Sequence, residues 1–441
     1  MASQANILMV EGSFEDQILE MSQYLDTQKR VNPAQGITVE IEKFVQEERK
    51  DEALDKIVSC SSVLVTAPER EFIPAYNLLI HLIRSSSNFN KHLPTLLQNL
   101  STPPQTAPHN GPTILISVLS TLYNVLPVSS HERYPVYKAT LNVVAKNGLY
   151  DLLIPQLEKV DKWVEEWGTS EAEKRDLFVT IAGIAEEASD DDQFYNFLLK
   201  ALKTFPDSEA GSAAARDIAV RLVKAAINIP SRLDFDELAI TPGVIALEGS
   251  EPQLFQLFEV FAGGQLEDYV DFNDENDTWA EDNGINTDAA YRKIRLLTLT
   301  SLAASCADRS LPYNTISRRL HVPEEDVELW VIDVIRAGLV EGKLSQLNQT
   351  FLIHRANVRN FGEEEWKQVA DRLSTWKDTL RGILEVVKNG REQAKAQEVR
   401  DQQRIEGELA GLEVREPRER RGGRDRKQQH LERQKQQEVE G

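Results

Sequence analysis

The residues in this sequence that could support chemistry are few, and each set fails on its spacing. The histidines, His81, His92, His109, His131, His321, His354 and His430, stand singly. A zinc-binding HExxH helix brings two imidazoles onto one face at i and i+4, and no pair here has that spacing. No HxH is followed by an aspartate, so the metal-dependent isopeptidase pattern is missing as well. Each histidine therefore reads as a surface residue or a satisfied core residue. Asp271, Asn273, Glu275 and Asp277 alternate like the ligands of a calcium loop. Such a loop turns at a glycine in its sixth position; here that position is Asn276, and Trp279 stands where a small ligand-bearing residue belongs. The stretch Glu267 to Asp282 reads instead as a solvated acidic linker. Gly263-Gly264-Gln265 matches the tripeptide that release factors bring to the peptidyl transferase centre, a use that needs a long exposed loop. Here it separates Phe258, Val260 and Phe261 from Leu266, Tyr269 and Val270 across one tight break, as a glycine turn ending a helix would. No phosphate-binding GxxxxGK[ST], no GxGxxG after a strand and no GxSxG elbow is present. These absences predict a protein that is not an enzyme, with no metal and no cofactor.

The elements around these residues are mostly helical. The chain has 441 residues, 41% apolar and 27% charged, enough for two or more packed units. Its formal charge of −21 argues against generic binding of nucleic acid or anionic membrane by the body. The two cysteines, Cys60 and Cys306, sit in apolar helical patterns without a CxxC partner and read as buried thiols of a reducing compartment. Glu11, Glu15 and Asp16 occupy the place of a signal-peptide h-region, and no apolar run reaches membrane-spanning length. A cytoplasmic location is expected.

From Ser13 to Asp308 almost every stretch shows helical periodicity. The pattern covers Val39 to Val65, Leu149 to Trp167, Glu171 to Ala188, Asp192 to Phe205 and Asp207 to Ile229, and is interrupted by the proline-rich loop Ser101 to Pro112. Short connections make neighbouring helices antiparallel, the arrangement of an α-solenoid, although no fixed-period consensus recurs. Ala213, Ala214 and Ala215 are small enough to admit a close neighbour.

Residues 286–357 predict a winged helix: a helix from Thr287, an extended Arg309 to Pro312, and a short helix carrying Ile316 and Leu320. A third helix opens at Pro323 with Glu324, Glu325 and Asp326 in its first turn. Two β-prone runs, Leu339 to Leu344 and Phe351 to His354, complete the wing. The third helix exposes Glu324, Glu325, Asp326, Glu328 and Asp333 against Arg336, a face that phosphates would repel, so DNA binding is not expected. A protein-binding platform is the better reading. Glu363 to about Ala396 reads as one long helix in which Trp366, Val369, Leu373, Trp376, Leu380, Ile383 and Val387 form a heptad seam. Its first part, to Trp376, is expected to pack on the winged helix; Leu380, Ile383 and Val387 are expected to lie open to a helix of another chain. Beyond Asp401 the composition predicts a disordered charged tail. Within it Arg420, Arg421, Arg424, Arg426 and Lys427 are candidate RNA contacts, although Glu419 and Asp425 dilute them and a solubilising role fits better.

The fold class expected is therefore all-α with a small β wing: an α-solenoid of helical repeats, then a winged helix, then a long C-terminal helix. The segments are 1–37, an N-terminal segment; 38–230, the helical-repeat array; and 231–285, the last repeats and acidic linker. They continue with 286–357, the winged helix; 358–400, an assembly helix; and 401–441, the tail.

This layout resembles the PCI family, scaffold subunits shared by the proteasome lid, the signalosome and a translation initiation complex. KIRLLTLTSLA (293–303), PEEDVELWVIDVIRAGLVEGKL (323–344) and RNFGEEEWKQVADRLSTWKDTL (359–380) are most similar to its branch in eukaryotic translation initiation factor 3. KWVEEWG (162–168), RYPVYKATLNVVAKNG (133–148) and ALEGSEPQLFQLFEVFAGGQLEDYV (246–270) share that similarity, whereas the acidic stretch and the tail depart from it. The resemblance implies a non-catalytic scaffold that binds sister PCI and MPN subunits and supports recruitment of the small ribosomal subunit and mRNA. It also implies that the wing pairs with a partner through Lys343, Leu344, Phe351 and Ile353, and that Leu380, Ile383 and Val387 enter a shared helical bundle. The alternatives are a PCI scaffold of the signalosome or proteasome lid, and an RNA-binding protein acting through its tail.

Overall fold

The computed structural model describes residues 12–30, 36–47, 49–86, 89–276, 278–306, 308–359 and 363–413. The chain divides into two units, Met1–Asn360 and Phe361–Gly441.

The first unit is built from helical hairpins. Phe14–Lys29 packs on Ile37–Gln46, Gly111–Val125 on Arg133–Asn147, and Glu171–Glu187 on Asp191–Lys203, which in turn meets Ala213–Asn228. Local chemistry starts these helices where the array needs them. Ser170 and Glu173 form a reciprocal capping box, with the Ser170 amide donating to the Glu173 carboxylate at 2.8 Å. Asp190 and Ser212 cap the next two helices by accepting from Gln193 N–H (3.1 Å) and Ala215 N–H (3.3 Å). Two stretches that look continuous in sequence are broken. Leu149 to Trp167 becomes three short pieces, Tyr150–Leu152, Ile154–Leu157 and Val160–Glu166, because Pro155 cannot join a helix interior. Val39 to Val65 likewise splits into the end of Ile37–Gln46, Lys50–Cys60 and a 3₁₀ turn, Ser61–Thr66. Of the three alanines opening the helix Ala213–Asn228 only Ala215 is buried; Ala219, Ala225 and Ala226 are the other small residues on its buried side.

The acidic stretch is not a linker. Residues Leu266–Glu275 form a helix that buries Leu266, Tyr269 and Phe272 and turns its carboxylates to solvent. The apolar spacing three residues apart, hidden among so many acids, is what holds it. Gly263-Gly264-Gln265 is the connection into that helix, and Gln265 N–H is capped by Asp268 at 2.7 Å. Gly264 is required by space rather than by φ, since a Cβ there would strike the Val260 backbone and the Asp268 side chain. Among the described residues no group of three or more His, Cys, Asp or Glu side chains could hold a metal ion. No described helix is long and apolar enough to cross a membrane.

The winged helix follows in the expected order. Its helices are Thr287–Ser305, Tyr313–Leu320 and Val327–Arg336, the last preceded by a 3₁₀ turn, Glu324–Asp326. Strands β1 (Ser310–Pro312), β2 (Val340–Ser345) and β3 (Thr350–Ala356) make an antiparallel sheet in the order β1-β3-β2. Gly338, at φ +72°, ends the third helix, and the Leu339 amide donates back to Val334 at 3.2 Å. One buried core runs from Tyr137 to Ile353, so the winged helix and the last repeats share it. A second core, Ile18 to Val143, fills the N-terminal hairpins.

At Gly342 the register between β2 and β3 shifts, and a Cβ would meet the Leu352 carbonyl and the Phe351 ring. Gly342→Val should therefore destabilise the chain by about 1–3 kcal/mol through overpacking. A denaturant titration would show the loss; an unchanged midpoint would mean the two strands can part freely.

The second unit is described by its helix, Glu363–Glu413, of 51 residues, roughly 75 Å at 1.5 Å rise per residue. It continues thirteen residues past the 400 boundary read from composition, across sequence rich in Gln, Glu, Arg, Ala and Leu. Those residues favour helix locally even without a core to pack on. Along it Leu373 and Trp376 are exposed to the same degree as Leu380, Ile383 and Val387.

Candidate functional site

In the wing, strand alternation decides which side chains a partner can reach. Lys343 stands opposite Leu352, and Leu344 opposite Phe351. Because side chains of a strand alternate between faces, Leu344 and Phe351 share the inner face, while Lys343 and Leu352 share the outer one. Phe351 and Ile353 are buried, at 0% and 6% exposure, and Leu344 packs against the same core. This corrects the reading of Phe351 and Ile353 as partner contacts: the run Phe351-Leu352-Ile353 is apolar throughout, so its pattern could not show which residues point outward. Of the four wing residues only Lys343 presents its side chain to solvent, joined there by Leu352 and His354. Strand β2 is an edge of the sheet, and Leu347 at the hairpin tip is 95% exposed. An edge strand offers backbone donors and acceptors whatever its side chains do.

The third helix is tied to the wing by Glu328, which accepts from Gln346 Nε2 at 2.8 Å and from the Tyr313 hydroxyl at 3.3 Å. Its first turn is acidic and exposed, as expected.

Two cations, Lys293 buried and Arg359 half-buried, join the array to the winged helix, and neither stood out in the sequence. Lys293 is 2% exposed; its Nζ donates to the carbonyls of Ala226 (2.6 Å) and Ile229 (2.5 Å). Ala226 lies four residues before Pro230, which has no N–H to offer it. Lys293 supplies the missing donor from the next domain. Burial pushes its ammonium down to about 7. Arg359 donates to the carbonyls of Phe261 (2.7 Å) and Gly264 (3.0 Å) and to Ser301 Oγ (3.1 Å). It thereby satisfies carbonyls at the end of the helix Pro252–Ala262. Burial lowers its guanidinium to about 10, partly opposed by Asp236. The signal that could have found Lys293 is its place in KIRLLTLTSLA, where Ile294 and Leu297 mark the same face as core.

In the C-terminal helix, Leu380, Ile383 and Val387 are 59%, 54% and 61% exposed, and Leu384 and Val386 flank them. A contiguous apolar stripe of this kind on one helix is a candidate surface for contact with another protein. The candidate RNA contacts Arg420, Arg421, Arg424, Arg426 and Lys427 lie outside the described residues.

Comparison with known proteins bears on the same segments. The PCI domain family matches residues 267–355. A second family, described as eIF3 subunit M, C-terminal helix, matches residues 359–387. Residues 267–275 of the acidic helix fall within the PCI match. The chain is 45% identical over 389 residues to eukaryotic translation initiation factor 3 subunit M of Phaeosphaeria nodorum, covering 87% of this chain and 88% of that protein. It is 38% identical to the protein of the same name from Chaetomium globosum, over 89% of this chain and 91% of the relative. With that from Pyricularia oryzae it shares 37% identity over 98% of both chains.

Proposed function

The chain belongs to the family of eukaryotic translation initiation factor 3 subunit M, and on that premise we propose that it is a non-catalytic scaffold subunit of the initiation factor, acting in the cytoplasm. The helical array and winged helix hold sister PCI and MPN subunits, and the assembled factor supports recruitment of the small ribosomal subunit and mRNA. The observation that carries this reading is the exposed seam of Leu380, Ile383 and Val387, inside the segment that resembles the C-terminal helix of its relatives. Among the described residues its unit is a single helix, with no core of its own on which to bury such a stripe. At the wing, contact is made by Lys343, Leu352 and the backbone edge of β2, with Leu344 supporting them from the inner face.

Sedimentation of a cell lysate through a sucrose gradient tests the proposal. The tagged chain is expected to co-migrate with small ribosomal subunits, and to leave those fractions when they are stripped of initiation factors by high salt. Migration with a particle of proteasome or signalosome size would replace this reading with another PCI scaffold.

A further inference from the structure

A groove of about 830 Å³ opens between the first and third helices of the winged helix, on the side of the helix Leu266–Glu275. Its apolar floor is the Trp330 indole and the Tyr291 ring, and Leu329 stands beside them 62% exposed. The Arg295 guanidinium lies 5.4 Å from the Trp330 ring centre and 5.8 Å from that of Tyr291, so the rings are braced before anything binds. A braced aromatic floor loses little conformational entropy on binding.

The rim is mixed in sign, with Arg292, Arg295, His321 and Asp333 in the lining beside two further carboxylates. Asp288 and Asp326 line it, in the first turn of one helix and at the start of the other, where the helix dipole favours a carboxylate. Neither has an ion-pair partner among the described residues, whereas Arg292 is already matched by Asp333 at 2.7 Å. Glu324 and Glu325 add two exposed carboxylates next to Asp326. An apolar floor beside these carboxylates suits an apolar side chain with a cation within one helical turn of it. Nucleic acid would be repelled.

We propose that this groove docks a segment of a sister subunit in which an apolar residue, seated against Leu329 and Trp330, is flanked by Lys or Arg facing Asp288 and Asp326. The site is distinct from the edge of β2, so it gives the winged helix a second protein contact. The inference rests on the scaffold reading above.

The test uses the full chain in the purified complex. A photo-cross-linking p-benzoylphenylalanine is placed at position 329, and in a separate preparation at position 380 as an assembly control. Cross-linking from 329 to a sister-subunit peptide with Lys or Arg within four residues of the attachment point is the expected result. Asp288→Lys with Asp326→Lys should reduce that product at least tenfold while leaving the product from 380 unchanged and the unfolding transition cooperative. Cross-linking from 329 to RNA, to an acidic segment or to residues 363–413 of this chain would overturn the groove. So would silence at 329 with normal cross-linking at 380. Silence at both positions, with no complex formed, would overturn the scaffold reading as well.

Discussion

A chain carrying Leu380→Asp and Ile383→Asp together is expected to fold normally and to disappear from the complex. Both residues are more than half exposed on the C-terminal helix, so the substitution removes no contact within their own unit. Exposed changes of this kind typically alter stability by no more than about 0.5 kcal/mol. Against a partner helix the consequence is different in scale. An unpaired carboxylate in a dry helix–helix seam loses its hydration without compensation, a cost of several kcal/mol for each charge. Since each 1.4 kcal/mol is about tenfold in affinity, recovery of partners should fall by about a hundredfold or more. Tandem purification of the double variant beside the parent chain reads this directly, with circular dichroism confirming the helix content. Leu380→Met, which preserves apolar volume, should co-purify normally. If the aspartate pair came down with a full set of partners, the seam would not be an interface.

The second large effect is expected at Lys293, where the repeat array meets the winged helix. Lys293→Ala empties a buried site and strands the Ala226 carbonyl, for which Pro230 offers no N–H. The Ile229 carbonyl keeps a second donor, the Arg232 amide at 3.2 Å. A loss of about 2–5 kcal/mol follows from the cavity and the orphaned acceptor. Lys293→Met refills most of the volume, so about 1–3 kcal/mol remains for the carbonyl alone. The pH dependence distinguishes this account from simple packing. In the folded chain Lys293 titrates near 7, well below its ordinary value of 10.5. Between those values the unfolded chain binds the extra proton, so the stability of the parent chain rises with pH from about 7 towards 10 and is level below 7. The neutral amine keeps two N–H groups for its two carbonyls, which is why deprotonation breaks nothing. The deficit of Lys293→Met against the parent should therefore be larger at pH 9 than at pH 6.5 in parallel denaturant titrations. Equal deficits at the two pH values would show that the ammonium stays charged when buried.

Much of the winged helix was legible in sequence because its signals are local. Pro323 followed by three acids announces a helix start, and Gly338 after Ala337 announces its end. What was not legible depended on partners distant in the chain. Lys293 reaches carbonyls 64 and 67 residues away, and Arg359 reaches back 95 and 98 residues to Gly264 and Phe261. Nothing near either residue in sequence marks those acceptors. The wing failed for another reason: Phe351, Leu352 and Ile353 form an unbroken apolar run, and only pairing with β2 reveals that the middle one faces outward. In the acidic helix the dominant charge concealed Leu266, Tyr269 and Phe272, whose spacing was nonetheless helical. At the C-terminal helix the seam was visible from spacing alone, but its end was not, because helix-favouring polar residues carry the helix on to Glu413.

The composition of the particle that contains this chain tests its place in initiation factor 3 most directly. Native mass spectrometry of material purified through a tag on the full-length chain is expected to give one copy of it together with sister PCI and MPN subunits of initiation factor 3. Recovery of proteasome-lid or signalosome subunits, or of the chain alone as a monomer, would contradict it.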